Sequence, residues 1–216
     1  MIPKKIHLIW LGGEVPEKFQ VLVDRIKSIN SDYEIKEWND NNIDFELINQ
    51  KLFDDTQNLG AKSDILRFEI LNRYGGIYMD YDFYQVKNFD SVLNCEFFAS
   101  SGDSSEKQVW NSIIGSVSGH QICKKFLDGL KNISPIGRHD INRTMNDTGP
   151  YYLERIYEEF RGSNGVCYPH YLTFYAFPGA NRENARDLTE SQIEYLKSFI
   201  NEKSIALHIH TTMWQY

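Results

Sequence analysis

Apolar positions divide this chain into elements before any residue is asked to do chemistry. Residues 5–11, KIHLIWL, form a β-rich run closed by Gly12, Gly13 and Pro16, which predicts a first strand entering a loop. Its nearly unbroken apolar character suits a central strand of a parallel sheet. Phe19, Leu22, Val23, Ile26 and Ile29 follow helical spacing and 33–38 predicts a second strand, so the chain opens as a βαβ unit. Asp40 predicts the cap of a further helix carrying Ile43, Leu47 and Ile48, and 51–60 predicts a loop. Ile65, Leu66, Phe68, Ile70, Leu71 and Tyr74 then recur at mixed spacings of three and four. That pattern predicts a helix over 63–74 buried around much of its circumference, capped by Ser63 or Asp64 and stopped by Gly75. Residues 77–80 predict a short buried strand, whose alternation puts Asp80 and Asp82 on one side at its end.

Beyond this point 83–93 mixes aromatics with turn residues, 96–100 predicts a strand, and 101–107 a polar loop. Ile122, Phe126, Leu127 and Leu130 give another amphipathic helix, broken at Ser134 and Pro135. A polar segment over 135–147, basic through Arg138, His139 and Arg143, predicts a solvated loop or a lid. Thr148, Gly149 and Pro150 open a helix through Leu153, Ile156, Tyr157 and Phe160. The aromatics of 166–177 read as core, Thr189 and Gln192 form a capping-box pattern, and 205–208 predicts a last strand ending in His208.

Composition narrows the class. With 216 residues, 41% of them hydrophobic, the chain can bury one sizeable core and is expected to form one domain over 1–216. A net charge of −7, from 23 basic and 30 acidic residues, argues against nucleic acid as a partner. No run approaches the roughly 18 apolar residues of a spanning helix, and the N-terminus lacks the apolar core of a leader. The expectation is a cytoplasmic chain, with peripheral association at the inner membrane face left open. Cys95, Cys123 and Cys167 are odd in number and far apart, which reads as buried free thiols in a reducing compartment.

The densest chemistry lies in residues 61–82, AKSDILRFEILNRYGGIYMDYD. Asp64 and Arg67, three apart, share one helix face. Two carboxylates at the spacing of Asp80 and Asp82 can hold Mg²⁺ or Mn²⁺ while leaving positions for phosphate oxygens. Asp is also common where a strand gives way to a turn. It is the Asp64, Arg67 and double-glycine context upstream that favours the metal reading.

In that context the stretch resembles the D-x-D sugar-binding region of the family 32 glycosyltransferases and, more distantly, the glucosyltransferase domain of the large clostridial toxins. Ala61, Ser63, Asp64, Arg67, Phe68, Gly75, Gly76, Tyr78, Asp80 and Asp82 carry the resemblance, with residues 2–12, Asn111, Thr148 to Pro150 and the C-terminus adding looser pieces. The resemblance implies an α/β fold of GT-A type, a mostly parallel twisted sheet with helices on both faces. It implies a metal, Mn²⁺ or Mg²⁺, held by Asp80, Asp82 and His208, the last standing six residues before Trp214 as in the family, with His210 a second choice. It further implies Asp64, Arg67, Asp80 and Asp82 as catalytic residues. Ile9, Trp10, Leu11, Asp64, Arg67, Tyr78, Asp80, Asn111 and Trp214 would bind the donor, Trp10 against the base. Met213 departs from the serine usual before the tryptophan.

The activity implied is metal-dependent, retaining transfer of a hexose from a nucleotide-diphosphate sugar, UDP favoured over GDP, to a glycan or lipid-linked acceptor in surface-polysaccharide synthesis. A toxin-like transferase acting on protein is the nearest alternative. A Mg²⁺-dependent phosphatase also uses a strand ending in Asp-x-Asp, but places Thr or Val where Tyr84 stands here. A non-catalytic nucleotide-sugar-binding module is the third reading; turnover separates them. A dinucleotide redox enzyme finds no glycine fingerprint.

Overall fold

The computed structural model describes residues 1–105 and 108–211. In chain order its elements are β1 (Lys5–Ile9), α1 (Gln20–Ile29), β2 (Glu34–Trp38), α2 (Gln50–Asp55), α3 (Leu59–Tyr74), β3 (Gly76–Met79), β4 (Phe83–Gln85), β5 (Phe97–Ser101) and β6 (Val109–Ser116). There follow α4 (Gln121–Leu130), a short turn α5 (Ile141–Arg143) continuing as a π-turn over Thr144–Thr148, α6 (Pro150–Glu158), β7 (Val166–Cys167), α7 (Glu190–Lys197) and β8 (Ala206–His208).

Six strands form a sheet in the order β2-β1-β3-β6-β5-β7, and β4 pairs with β8 in a separate ribbon. Among the described residues β1 runs parallel to β2 and β3, and β5 parallel to β7, while β6 is antiparallel to both neighbours. The sheet is therefore mixed with a parallel majority, as the opening βαβ pattern leads one to expect.

Strand alternation splits the core in two. Ile6, Leu8, Ile77, Met79, Phe98 and Ile113 face one cluster with α1 and the β4–β8 ribbon. Ile9, Tyr78, Phe97, Ala99 and Ile114 face the other with α3, α4 and α6. Helices thus cover both faces. Phe68 of α3 stacks on Phe126 of α4 at 3.6 Å between centroids, each burial contributing about 2 kcal/mol.

Three local expectations are corrected. Residues 40–48 form no helix, because Asp40 accepts a hydrogen bond from the Gly12 amide at 2.8 Å, and the helix falls instead within the expected loop, at Gln50–Asp55. Helix α3 begins four residues before Ser63, where the Asn58 side chain accepts from the Ala61 amide at 2.9 Å, so Ser63 and Asp64 are interior residues. Finally, Phe83–Gln85, expected within a turn-rich stretch, is a strand because it pairs with β8.

The cysteine reading is also corrected. Cys95 and Cys167 form a disulfide with their Cα atoms 5.9 Å apart, and Cys123 is free and buried. The pairing of β5 with β7 brings residues 72 apart in sequence together. That removes the basis for a reducing compartment.

Candidate active site

The carboxyl ends of β1 and β3 meet the start of β6, the edge of an α/β sheet at which ligands are usually received. Helix α3 brings Asp64 and Arg67 to this edge, both only 5% exposed. Asp64 Oδ1 accepts from Asn111 Nδ2 at 2.8 Å and faces Arg67 Nη2 at 3.1 Å, while its Oδ2 accepts from the Thr148 hydroxyl at 3.2 Å. Burial pushes the Asp64 carboxyl up to about 7, against the pull of Arg67 and these hydrogen bonds. Arg67 donates to the Asn111 carbonyl at 2.6 Å, the Ser63 carbonyl at 3.2 Å and the Ser63 hydroxyl at 3.0 Å. Its fork of donors is largely spent on the protein, so what it projects outward is charge.

That charge reaches Asp80. Arg67 Nη1 lies 3.8 Å from Asp80 Oδ1, the same oxygen that accepts from the Tyr78 hydroxyl. The Arg67 guanidinium also sits over the Tyr78 ring at 4.3 Å. Tyr78 is buried with its hydroxyl committed to Asp80, so it orients that carboxylate from beneath. The main-chain amide of Asp80 donates to the Ser112 carbonyl at 2.8 Å, extending the β3–β6 ladder one residue and fixing where the carboxylate starts. With its side chain 32% exposed, Asp80 is the open member of the group.

Asp82 is held more tightly. Its Oδ1 lies 3.1 Å from His208 Nε2, and its Oδ2 accepts from the Thr211 amide at 2.7 Å and the Thr211 hydroxyl at 2.9 Å. Burial works to raise this carboxyl, but the His208 charge and the hydrogen bonds of His208 and Thr211 outweigh it and hold Asp82 below the usual carboxylate range. His208 comes from β8, opposite Phe83 of β4, with the two rings stacked at 4.6 Å.

One ligand atom from each of Asp80, Asp82 and His208 lies within 4.8 Å of the others. Two atoms bound to one small divalent ion at about 2.1 Å stand ~3 to ~4 Å apart. His208 Nε2 lies 3.1 Å from Asp82 and 3.9 Å from Asp80, so the set fits without rearrangement of the backbone. His208 Nδ1 is buried with no hydrogen-bond partner among the described residues, leaving Nε2 as the nitrogen that faces the carboxylates. Two hard oxygens and an imidazole suit Mn²⁺ better than a softer metal.

The remaining expected residues are placed less evenly. Asn111 lies in β6 and is buried, joining Asp64 to Arg67. Trp10 is half-buried at the end of β1 between Phe19 and Tyr81, at 5.6 and 5.5 Å, while the side chains of Ile9 and Leu11 belong to the core. His210 packs 4.2 Å from the His208 ring but lies outside the metal-competent set, and Trp214 falls outside the described residues. Sequence reasoning missed Thr211, which carries no motif, and Ser63, taken for a helix cap when it braces Arg67.

Residues 16–99, which span α1 through the start of β5 and contain α3, Asp80 and Asp82, match the glycosyltransferase sugar-binding region containing the DXD motif. Among curated relatives, the mannosyl phosphorylinositol ceramide synthase SUR1 of Saccharomyces cerevisiae is 25% identical over 190 residues, covering 82% of this chain and 49% of that protein. The chain spans about half the length of the first curated relatives it matches. In architecture it is similar to the PaToxG glycosyltransferase, at TM-score 0.57 and 22% identity over 74% of this chain and 70% of that one. The UDP-bound glycosyltransferase domain of the YGT toxin superposes at TM-score 0.56 and 12% identity, over 77% and 79% of the two chains. The chain therefore has a fold of GT-A type.

Proposed function

We propose that the chain transfers a hexose from a nucleotide-diphosphate sugar to a hydroxyl of a glycan or lipid-linked acceptor. The observation that carries this reading is the convergence of Asp80, Asp82 and His208 on one point beside the Arg67 charge. Asp80, Asp82 and His208 would hold Mn²⁺, or Mg²⁺, which when bound neutralises charge on the departing diphosphate. Arg67, fixed by Ser63 and Asn111, adds positive charge at Asp80 without moving. Asp64, held by Asn111 and Thr148, presents a carboxyl to the sugar hydroxyls. Trp10, at the end of β1, offers a ring face to the base.

In the transfer the bond from the anomeric carbon to the diphosphate oxygen breaks, its electron pair leaves with the diphosphate, and the acceptor oxygen bonds to that carbon. The acceptor's proton passes to a leaving phosphate oxygen. Retention is what the family resemblance implies, and a same-face displacement guided by the leaving phosphate would give it without a covalent intermediate. SUR1's name adds a phosphoinositol lipid to the acceptor classes worth testing, and the UDP in the YGT domain keeps UDP first among bases. The Cys95–Cys167 bond favours work in an oxidising compartment over the cytoplasm.

The test is nucleotide release from a panel of UDP- and GDP-sugars, with Mn²⁺ and with chelator, with and without lipid acceptor. Release from one donor that needs Mn²⁺ and disappears in Asp82→Asn is the expected result. A folded Asp82→Asn chain turning over at the wild-type rate would remove the metal assignment.

A further inference from the structure

Beyond the metal ligands themselves, an unusual backbone conformation falls on a residue outside the metal-competent set. His210 has φ +62°, one of two non-glycine residues with positive φ among those described. Such a conformation is uncommon outside glycine and needs support from its surroundings. Its effect here is visible in the hydrogen bonds on either side. Before it, the Ile209 amide donates to the Asp82 carbonyl at 2.9 Å, continuing the β4–β8 pairing. After it, the Thr211 amide and hydroxyl both reach Asp82 Oδ2.

The two oxygens of Asp82 are thereby given separate work. Oδ2 receives two donors from one residue and is anchored, whereas Oδ1 is turned to His208 Nε2, on the side where Asp80 Oδ2 also lies within 3.9 Å of that nitrogen. A carboxylate free to rotate would present either oxygen, or both, to a cation. One pinned at Oδ2 presents a single oxygen in a fixed direction. Thr211 is itself buried, so solvent does not compete for these bonds.

We propose that Thr211 is a positioning residue for divalent metal binding, clamping Asp82 in a one-oxygen geometry from its place just after the positive-φ residue His210. This rests on the metal reading above. Partners of ligating carboxylates commonly set affinity, and their loss weakens metal binding by roughly 10–100-fold. The amide of Thr211 survives any side-chain change, so the hydroxyl's share falls at the low end of that range.

The experiment is equilibrium Mn²⁺ binding to the full chain, read by the electron paramagnetic resonance of free Mn²⁺, for wild type, Asp82→Asn, Thr211→Val and Thr211→Ser. Melting of each metal-free chain is measured beside it. Expected are saturable wild-type binding, its loss in Asp82→Asn, a dissociation constant about tenfold higher in Thr211→Val, and recovery in Thr211→Ser, which keeps the hydroxyl. Metal-free melting of Thr211→Val should stay close to wild type. Unchanged affinity in Thr211→Val, with binding lost in Asp82→Asn, overturns the clamp alone and leaves the metal reading standing. Equal loss of affinity in the valine and serine variants, with metal-free melting lowered in both, would make Thr211 a packing residue and overturns the clamp too. A wild-type chain that binds no Mn²⁺ overturns both readings together.

Discussion

His7 shows how one residue's partners decide its charge. Its Nδ1 accepts from the Trp38 indole at 3.2 Å, which requires that nitrogen to be bare, and its Nε2 lies 2.9 Å from the Gly75 carbonyl, which requires a proton there. Only the neutral ring satisfies both. Burial, helped by Lys5 and Lys36 and opposed by the Gly75 hydrogen bond and Glu34, lowers the imidazole from 6.5 to about 4. Between those values the unfolded chain binds a proton at this position and the folded chain does not, so stability must fall as pH drops from 6.5 towards 4. The largest loss from this group is about 3 kcal/mol. Urea unfolding at pH 7.5 and 4.5 measures the difference, and His7→Gln, which carries a donor and an acceptor but no titration, should show a smaller one. An unchanged difference would place the acid sensitivity elsewhere. These two bonds make His7 a satisfied core residue, and its neutrality leaves it no part in holding phosphate.

At the scale of elements, the passage from α3 into β3 delivers Asp80 to the site, and it depends on Gly75. This residue has φ +63°, and a Cβ on it would stand 2.8 Å from the Ser118 amide nitrogen and 3.0 Å from the Ser116 carbonyl. Both are backbone atoms, which cannot swing aside. Gly75→Ala is therefore expected to lower stability by at least about 1 kcal/mol, and more where the strand shifts. Thermal unfolding checks it; a variant as stable as wild type would mean that the turn has room to relax. The glycine stop was legible in the sequence because chirality makes it a local requirement. So were β1, β2, β3 and the faces of α1 and α4, where apolar spacing is regular. Elements decided by distant partners were not. Asn58 looks like loop, yet it caps α3, which begins four residues before the predicted start at Ser63, and Phe83–Gln85 is a strand only because β8 returns to it. The candidate site divides the same way: Asp64, Arg67, Asp80 and Asp82 stand together in one stretch, and His208 was reached through the family resemblance of the C-terminus. Nothing local distinguishes Thr211 from its neighbour, since its meaning lies in a carboxylate 129 residues away.

Across the whole molecule, the chain must return from the sheet edge at β7 to the ribbon at β8 before His208 can meet Asp82. The Cys95–Cys167 bond fixes the start of that return, next to the paired residues Phe97 and Val166. Closing 72 residues of chain in the unfolded state is expected to stabilise the fold by roughly 2–4 kcal/mol. Reduction should lower the melting temperature, but the Asp82–His208 contact should survive it, because the antiparallel β4–β8 pairing holds that geometry directly. Cys123 is the contrasting thiol: burial pushes it up to about 12, and its sulfur lies 3.4 Å from the Ser116 hydroxyl within the core. It should resist alkylation at pH 8 until the chain unfolds. For protein produced in an oxidising compartment, one thiol should then titrate in denaturant without reductant, and all three cysteines after reduction. Three thiols without reductant would remove the bond, and with it the support for an oxidising compartment.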